Sequence, residues 1–433
     1  MIKRTCYSNN LKDGEEVILA GWVHERRDLG GIKFILLRDR EGIAQITAPK
    51  KKVSDEIFKL MDSLGREWVI AVKGNTKASP QAPGGLEVIP SEIEIISMAE
   101  ANLPLDPSEK VDADIDTRLD NRFMDIRKPR VTAIFKIRSE ILSAAREYLL
   151  SQAFVEIQTP KISASGTEGG TELFPLSYFE REAFLAQSPQ LYKQTMMATG
   201  MDRVFEMAHY FRAEESNTRR HLSESDAVDI EMSFIENEDD VIYILENLVS
   251  HILKCVNDNK KNELKLLGVE VNTPSTPFRR IKYEEAISLL QESGFNVHYG
   301  EDLGTESEKA LGNVVKKKYG DDLYFLTKYP LSIKPFYTNF DGETARAFDL
   351  DYKGVEISSG GQRIHNVEVL KTRIKEKGLS VSSFEAYHKP FRYGMPPHGG
   401  FGLGIDRLIM QMLNLENIRE GVLFPHDRRR LEP

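Results

Sequence analysis

The stretch "VFEMAHYFRAEESNTRRHLSESDAVDIEMSF", Val204 to Phe234, decides the fold class of the larger part of this chain. Two runs of alternating side chains flank a polar loop, a pattern that predicts two antiparallel strands. One predicted face is mainly apolar, with Phe205, Met207, His209, Phe211, Val228, Ile230, Met232 and Phe234. The opposite face is polar, with Glu206, Tyr210, Arg212, Glu214, Asp229 and Glu231. The apolar face favours a place in a central sheet, where the charged face needs a polar cover.

The loop of this hairpin adds Arg219, Arg220 and His221. The planar guanidinium group of arginine donates paired hydrogen bonds to phosphates and carboxylates. A bound, highly charged ligand would therefore cover the polar face. A solvated hairpin of mixed charge is the alternative, and the pattern alone leaves it open.

Around the hairpin the predicted elements follow no regular βαβ order. A helix with a 3.6-residue apolar period runs through Ile134, Ile137, Ile141, Ala145, Tyr148 and Leu149. From Phe154 onward strands and helices mix irregularly, which favours an α+β domain built on an antiparallel sheet flanked by helices. We place this domain at residues 131–433, with 257–330 as an embellishment within it.

Residues 15–97 read as five short strands with one helical stretch, "SDEIFKLMDSLG", between the third and fourth. This is the pattern of an OB-fold β-barrel, although a generic small barrel without a ligand would look similar. We assign residues 1–101 to this domain. The Pro- and Asp-rich segment 102–130 lacks apolar periodicity and is interpreted as a linker or hinge.

A second candidate site element is "FLAQSPQLYKQTMMATG". Ser188 as N-cap, Pro189 at the first helical position and Gly200 beyond the end predict a short helix. Gln190 and Lys193 would share one face of it, but a lone lysine on a helix usually faces solvent. The preceding "SASGTEGGTELFP" has no regular pattern and reads as a loop able to close over a site, with Glu168 between its glycines.

A third element combines "DLDYKGVEISSGGQRIHN" with "GGFGLGIDRLIMQML", Gly399 to Leu413. Glu356 and the nearby serines offer the hard oxygen ligands that Mg²⁺ prefers, although a charged edge strand is the simpler alternative. Arg407 lies off the apolar stripe of the last helix, near the end that attracts anions. The glycine spacing alone is a weak signal, because a dinucleotide-binding loop would need a preceding strand and about 20 further residues to an acid, a test that this stretch does not meet.

Composition excludes several classes of protein. The 433 residues carry a net charge of −9, and no apolar run approaches the ~20 residues of a membrane span. The N-terminal residues lack the apolar core of a secretion signal, so we expect a cytoplasmic protein without a membrane partner. Cys6 and Cys255 are too few for a four-cysteine zinc site.

Taken together, these stretches resemble the three signature motifs of class II aminoacyl-tRNA synthetases: the long helix through "FVEIQTPKI", then "FRAEE…RHL…DIEMSF", then "GFGLGIDR". The similarity is greatest to the archaeal-type aspartyl-tRNA synthetases, through "GWVHERRDLGG", "FILLRD", "SGTEGG", "QSPQLYKQ" and "RAEES". The resemblance implies ATP-dependent activation of L-aspartate, with Mg²⁺ as cofactor, and its transfer to the 3′ end of tRNA-Asp. It also implies a homodimer formed through the first motif.

The resemblance assigns roles residue by residue. The expected catalytic residues are Arg212, Glu356 and Arg407. The expected ATP contacts are Arg212, Ala213, Glu214, Arg220, His221, Leu222, Glu356, Gly404, Ile405, Asp406 and Arg407. The expected aspartate contacts are Glu168, Gln190, Lys193, Arg212, Ser359 and Arg363, with Lys193 and Arg363 holding the side-chain carboxylate. Glu356 and Ser359 are the expected magnesium ligands, and Phe34, Gln45 and Glu87 the expected anticodon contacts.

His24 and Pro83 distinguish this chain within the family. Members strict for tRNA-Asp tend to have Trp and Lys at these positions, whereas members with His and Pro tend to charge tRNA-Asn too. The resemblance therefore predicts a non-discriminating enzyme, unless both substitutions are neutral. The alternatives are a discriminating aspartyl enzyme, an asparaginyl-tRNA synthetase, a paralogue that makes asparagine, and a nucleic-acid binder with an inactive large domain. Asparaginyl-tRNA synthetases typically have an uncharged residue in place of Lys193.

Overall fold

The computed structural model describes residues 3–164, 172–214 and 218–432, and the chain divides into two compact units, Met1–Pro129 and Arg130–Pro433. Within the described part of the first unit, five strands form a closed barrel in the order β1-β2-β3-β5-β4. The strands are β1 (Glu16–Asp28), β2 (Ile32–Arg38), β3 (Ile43–Pro49), β4 (Val69–Ala78) and β5 (Leu86–Ser97). The helices of this unit are α1 (Asp55–Ser63), α2 (Ile115–Asp120) and α3 (Arg122–Asp125).

The barrel follows the predicted OB-fold pattern, with α1 between β3 and β4. Alternating residues of each strand point inward, and Ile35, Leu37, Ile46 and Val88 form part of a buried core. Helix α1 begins after Ser54, whose hydroxyl accepts a hydrogen bond from the amide of Ile57, as an N-cap should. The segment that we interpreted as a linker contains α2 and α3.

The second unit is built on a mixed sheet whose described part has eight strands in the order β12-β13-β16-β17-β18-β11-β10-β6. Its strands are β6 (Val155–Glu156), β10 (Arg203–Phe211), β11 (Glu224–Ser233), β12 (Arg279–Lys282), β13 (Leu323–Thr327), β16 (Ala347–Tyr352), β17 (Glu356–Arg363) and β18 (His398–Gly404). Smaller sheets contain β7 (Ile162–Ser163), β8 (Pro175–Tyr178), β9 (Arg181–Leu185), β14 (Phe340–Asp341) and β15 (Thr344–Ala345). The central strands are antiparallel as predicted, while the outer pairs β6–β10 and β12–β13 are parallel.

Helices cover this sheet and supply most of the core. They are α4 (Pro129–Ser151), α5 (Gln190–Met196), α6 (Glu238–Asn259), α7 (Lys261–Leu267), α8 (Tyr283–Glu292), α9 (Thr305–Tyr319), α10 (Val367–Glu376), α11 (Glu385–His388) and α12 (Ile405–Met412). The largest core joins residues of α4, α6 and α12 to the apolar face of β11. The opposite, polar face of the central strands is thereby left to form a site. Among the described residues, no helix is both long and apolar enough to cross a lipid bilayer.

Two local predictions differ from the structure. Phe234 was expected to face the core, but this residue is 73% exposed and has a φ of 59°. This left-handed backbone ends β11 at Ser233 and turns the side chain outward. Helix α5 begins at Gln190, so Pro189 precedes the helix instead of opening it, although the Ser188 hydroxyl still accepts a hydrogen bond from the amide of Gln190.

Candidate active site

A cavity of about 370 Å³ lies on the polar face of the large sheet. Its walls come from β10, β11, β17 and β18, from the loop after β10 and from the start of α12. Predicted site residues on its lining are Gln190, Arg212, Glu214, Arg220, His221, Leu222, Glu356, Ser359, Arg363, Gly404, Asp406 and Arg407. Three distant parts of the sequence therefore meet around one space.

The polar face of the hairpin is buried, which excludes the solvated alternative. Asp229 and Glu206 are register partners across β10 and β11, and they are 6% and 4% exposed. Glu231 is fully buried. Buried carboxylates need cations or donors close by, and the structure supplies both.

Cationic groups surround the part of the cavity nearest α12. Arg407 lies in the first turn of α12, and its Nη1 donates to the carbonyl oxygen of Glu356 at 3.0 Å. Arg212 stacks on the ring of Tyr210, with its guanidinium carbon 5.2 Å from the ring centroid. Arg220 faces the same space. Together with the positive end of α12, these groups favour a polyphosphate ligand.

The loop that carries Arg220 is fixed at both sides. The carbonyl of Arg219 accepts from the amide of Ile418 at 3.0 Å, and the amide of Ser223 donates to the carbonyl of His426 at 2.9 Å. Burial, with the neighbouring arginines, lowers the pKa of His221. The His221 ring lies beside these cations, and its Nδ1 is 2.6 Å from the Thr218 hydroxyl.

Glu356 lies beside a second carboxylate. Burial, followed by the charge of Asp349, raises the pKa of Glu356 to about 7, while Arg407 and Lys334 act in the opposite direction. Asp349 is the register partner of Ser359 on β16 and β17. One of its carboxylate oxygens accepts from Lys334 at 2.6 Å, and the other, Oδ1, is buried without a hydrogen-bond partner among the described residues.

This arrangement fits a magnesium ion bound together with phosphates. Glu356 and Ser359 line the cavity, and Asp349, which has an unused buried oxygen, is close enough for its charge to raise the pKa of Glu356. The described residues contain no cluster of three or more His, Cys, Asp or Glu that could hold a metal. Mg²⁺ typically takes one or two protein carboxylates and completes its shell with waters and substrate phosphates. The donor set therefore suits a substrate-bridged ion and not a closed structural metal site.

Lys193 and Arg363 form a buried network with two acids. Lys193 Nζ lies 2.8 Å from Asp229 Oδ1 and 3.7 Å from Glu231 Oε2. Arg363 Nε lies 3.1 Å from Glu231 Oε1, and its Nη2 donates to the carbonyl of Gly400 at 2.8 Å. Arg363 and Asp229 line the cavity, whereas Lys193 does not.

We expected Lys193 and Arg363 to hold the side-chain carboxylate of the ligand. Both already have carboxylate partners within the protein. Sequence reasoning missed Asp229 and Glu231 as members of the network, although their alternation on β11 was visible. Their pairing with Lys193 could not be predicted, because it depends on the packing of α5 against β10 and β11.

Four further expected contacts, besides Lys193, are placed differently from the rest. The side chain of Ile405 is buried in the core, so only its backbone can reach a ligand. Asp406 lines the cavity, but its carboxylate accepts from Arg138 at 2.6 Å and from the amide of Asp226 at 3.0 Å. Ala213 does not line the cavity; its amide donates to the carbonyl of Glu172. Glu168 lies outside the described residues.

The barrel brings its three predicted anticodon contacts to one face. Gln45 and Glu87 are register partners on β3 and β5, and Gln45 Nε2 lies 3.4 Å from Glu87 Oε2. Phe34 on β2 pairs with Thr47, whose hydroxyl donates to Glu87 at 2.8 Å. Their neighbours Ile35 and Ile46 point into the core. The three residues therefore lie on the outer surface of adjoining strands.

The two expected discrimination residues have different surroundings. His24 on β1 contacts Arg38 Nη1 through Nδ1 at 2.8 Å, and Arg38 is itself paired with buried Glu67. Burial and the Arg38 charge lower the pKa of His24. Pro83 is exposed in the 3-10 turn Pro83–Gly85 between β4 and β5.

Comparison with known proteins agrees with this geometry. The family described as tRNA synthetases class II (D, K and N) matches residues 114–428, and the OB-fold nucleic acid binding domain matches residues 17–96. The chain is 59% identical to the aspartate–tRNA(Asp) ligase of Pyrococcus horikoshii, over 99% of this chain and all of that one. The chain belongs to the class II tRNA synthetases.

Relatives within this synthetase family differ in the tRNA that their names specify. The aspartate–tRNA(Asp/Asn) ligase of Methanopyrus kandleri is 55% identical over 98% of this chain and 97% of that one. The structure of the asparaginyl-tRNA synthetase of Pyrococcus horikoshii, complexed with asparaginyl-adenylate, superimposes with a TM-score of 0.92 at 35% identity, and each chain is fully covered. The fold is thus shared by synthetases for different amino acids, and specificity must depend on individual side chains.

Proposed function

We propose that this class II synthetase is an aspartate–tRNA ligase that couples ATP cleavage to the esterification of tRNA with L-aspartate. The observation that carries the proposal is a single cavity that joins Arg212, Glu356 and Arg407 and has the Lys193–Arg363 network at its wall. The cations suit a triphosphate, and the network suits a dicarboxylic amino acid. The 52–59% identical relatives over nearly the full chain support the same activity.

The reaction needs two nucleophilic displacements. An oxygen of the aspartate α-carboxylate attacks the α-phosphorus of ATP, the bond from that phosphorus to the bridging oxygen breaks, and pyrophosphate leaves. The terminal ribose hydroxyl of tRNA then attacks the activated carbonyl, losing its proton, and AMP leaves. We assign Arg212 to the α-phosphate, and Arg220 and Arg407 to the outer phosphates. Positioning and charge stabilisation account for the rate without a covalent enzyme intermediate.

The magnesium ion would be held by Glu356 and Ser359, with Asp349 as the neighbouring carboxylate. When bound, it would neutralise phosphate charge and orient the triphosphate. The raised pKa of Glu356 reflects first its burial and then the charge of Asp349, and a divalent cation would offset the repulsion between the two acids. Because Lys334 pairs with Asp349, it would keep one acid neutralised while the nucleotide is absent.

Selection of aspartate over asparagine follows from Arg363. Its guanidinium group lies at the cavity wall and is fixed there by Glu231 and the Gly400 carbonyl, so a ligand carboxylate would gain a charge-assisted hydrogen bond that an amide would gain only weakly. Lys193 adds positive charge beside Asp229. The charge at position 193 also argues against the asparaginyl alternative, which shares the fold.

Aspartate-dependent exchange between ATP and pyrophosphate tests this proposal, because exchange reports adenylate formation alone. We expect exchange with aspartate and not with asparagine. Arg407→Ala should lower the kcat of aspartate-dependent exchange by about 10²–10³-fold. The matched control is Arg219→Ala at an exposed position in the nearby loop, and it should leave this kcat within about twofold of wild type. Equal exchange with both amino acids would refute the assignment.

We also propose that the protein charges tRNA-Asn with aspartate. A proline at position 83 offers no side-chain hydrogen bond, and one nitrogen of His24 is already occupied by Arg38. The barrel would therefore read the third anticodon base loosely. The relatives named for tRNA(Asp/Asn) support this second proposal, and those named for tRNA(Asp) support the discriminating alternative.

Charging of a tRNA-Asn transcript separates these two possibilities. A non-discriminating enzyme should use it at a kcat/KM within about tenfold of that for tRNA-Asp, which corresponds to a difference of about 1.4 kcal/mol. A value hundreds of times lower would contradict the proposal and leave the aspartyl activity untouched. His24→Trp combined with Pro83→Lys should then restrict charging to tRNA-Asp.

A homodimer is the remaining proposal about partners. The family resemblance places its interface at the first motif, which here comprises α4 and β6. Leu150 at the end of α4 and Val155 in edge strand β6 are 53% and 47% exposed, so apolar surface is present there. Sedimentation of the purified protein tests this, and a monomer at micromolar concentration would contradict it.

A further inference from the structure

Helix α9, in the part of the chain that we considered an embellishment, contacts the proposed nucleotide site. Glu308 Oε2 lies 3.2 Å from Arg220 Nη1. The two side chains are 21% and 12% exposed, so the ion pair is largely buried. Through this pair Glu308 connects residues 257–330 with the loop that we assign to ATP.

The backbone holds α9 at this place. A Cβ added to Gly312 would lie 2.5 Å from Gly354 Cα, in the turn between β16 and β17. The helix and the turn therefore touch backbone to backbone, two residues before Glu356. Glu308 lies one helical turn before Gly312 and on the same face. Its position next to the cavity follows from this close contact.

The pair leaves Arg220 half satisfied. Arg220 lines the cavity, and its Nη2 is buried with no hydrogen-bond partner among the described residues. One arm of the guanidinium group is thus held by Glu308, while the other is left for a ligand. A phosphate group at this position would bring its own negative charge close to the Glu308 carboxylate.

We propose that Glu308 holds Arg220 while the nucleotide site is empty and gives it up to the outer phosphates of ATP, so that α9 sets the affinity for the nucleotide. The inference rests on the proposed function, because it needs a triphosphate in this cavity. It gives the embellishment a role: the insert supplies a carboxylate that competes with substrate. Glu308 then holds Arg220 in position before ATP arrives and, by competing for it, weakens the binding of ATP.

Glu308→Gln tests the competition, because glutamine can still accept a hydrogen bond from Arg220 but carries no charge. We expect the Kd for ATP, measured by titration calorimetry at low salt, to fall by about three- to tenfold, since the carboxylate charge that competes with the phosphates for Arg220 is removed. The Kd for AMP should change by less than about twofold, because AMP lacks the outer phosphates. Glu306→Gln, an exposed acid on the same helix, is the matched control and should change neither value.

Glu308→Gln in an Arg220→Ala background should no longer tighten ATP binding, because the competing pair is gone. Weaker ATP binding by Glu308→Gln, an unchanged Kd, or equal tightening for AMP would each overturn the inference. Thermal melting of each variant shows that it is folded. If the wild-type protein binds ATP and the Glu308→Gln variant binds it with the same Kd, this inference alone is contradicted. A wild-type protein that does not bind ATP contradicts the proposed function as well.

Discussion

Glu231 is the residue on which the cations behind the cavity depend. It is fully buried and lies between Lys193 and Arg363, at 3.7 Å and 3.1 Å. Removing one member of a buried ionic network costs more than the network contributes, because the remaining charges are left in a medium of low dielectric constant. The charge of Glu231 therefore contributes to stability as well as to the shape of the site.

We predict that Glu231→Gln lowers the free energy of unfolding by about 3 kcal/mol. The change preserves shape and removes one charge, so Lys193 keeps Asp229 but Arg363 loses its carboxylate. Urea denaturation measures the difference. Glu236→Gln, at an exposed position three residues beyond β11, is the control and should stay within about 0.5 kcal/mol of wild type. Equal midpoints for the two variants would contradict the prediction.

His209 gives the second unit a pH-dependent contribution to stability. Its Nδ1 lies 2.8 Å from Asp226, and its Nε2 lies 3.1 Å from Glu224. The hydrogen bond to Asp226 is the largest influence and raises the pKa of His209 above its ordinary 6.5. A raised pKa in the folded state means that the stabilisation is complete below the unfolded pKa and is lost as pH rises through the folded pKa.

The melting temperature of His209→Gln should therefore lie below that of wild type at about pH 5.5 and approach it at about pH 9. The exposed His298, changed to Gln, serves as the control and should show the same difference from wild type at both pH values. A gap for His209→Gln that is independent of pH would mean that the imidazole acts only as a neutral hydrogen-bonding group.

At the scale of elements, β18 explains the glycines of "GGFGLG". This strand lies between β11 and β17. A Cβ on Gly400 would overlap the carbonyl oxygen of Ile230 and the carboxylate of Glu231. A Cβ on Gly402 would lie 3.3 Å from Asp229 Oδ1, on the cavity side. Strand packing requires a glycine at position 400, and the glycine at position 402 leaves room for a ligand.

Gly400→Ala should consequently destabilise the protein by about 1–3 kcal/mol, as overpacking does. Gly402→Ala is the matched comparison: we expect little loss of stability but a higher KM for aspartate or ATP in the exchange assay. Denaturation and exchange kinetics on both variants separate the two effects. A stable, fully active Gly400→Ala variant would show that β11 and β18 have more room than the structure indicates.

The predictability of the fold also differs by element. Regular strands and the long helix α4 follow from periodicity, so the barrel, the central hairpin and the fold class could be predicted. The positive φ of Phe234 could not, because nothing in a phenylalanine signals a left-handed backbone. The contact of α9 with β16 and β17 depends on glycines 42 residues apart in sequence, Gly312 and Gly354, and no local pattern connects them.

The same limit applies to the site. Arg212, Glu356 and Arg407 stand in motifs, and a family resemblance could find them. Asp349 and Lys334 carry no local signal, because a buried acid and its lysine partner become apparent only when β16 has been placed next to β17. The pairing of Lys193 with Asp229 and Glu231 likewise had no signal in the sequence. Sequence patterns identified residues that line the cavity better than residues that hold them in place.

At the scale of the whole molecule, the two units carry separate parts of the proposed activity. The barrel, with its own core, would recognise the anticodon, and the large unit would perform the chemistry. Phe34→Ala should lower kcat/KM for tRNA-Asp by about ten- to a hundredfold, the effect of losing one base-stacking ring. Pyrophosphate exchange by the same variant should match that of wild type.

Phe123→Ala is the control for this prediction, because Phe123 is 56% exposed and lies outside the barrel strands. It should leave tRNA charging unchanged. If Phe34→Ala reduced exchange as strongly as charging, the division of work between the two units would be wrong.

The central claim is that one cavity activates aspartate for attachment to tRNA. Its most direct test is transfer of radiolabelled amino acid from ATP-containing mixtures onto a tRNA-Asp transcript by the purified wild-type protein. We expect acid-precipitable product with labelled aspartate and, in parallel reactions, none above background with labelled asparagine. Product with asparagine, or no product with aspartate under conditions in which the protein is folded and binds ATP, would contradict it.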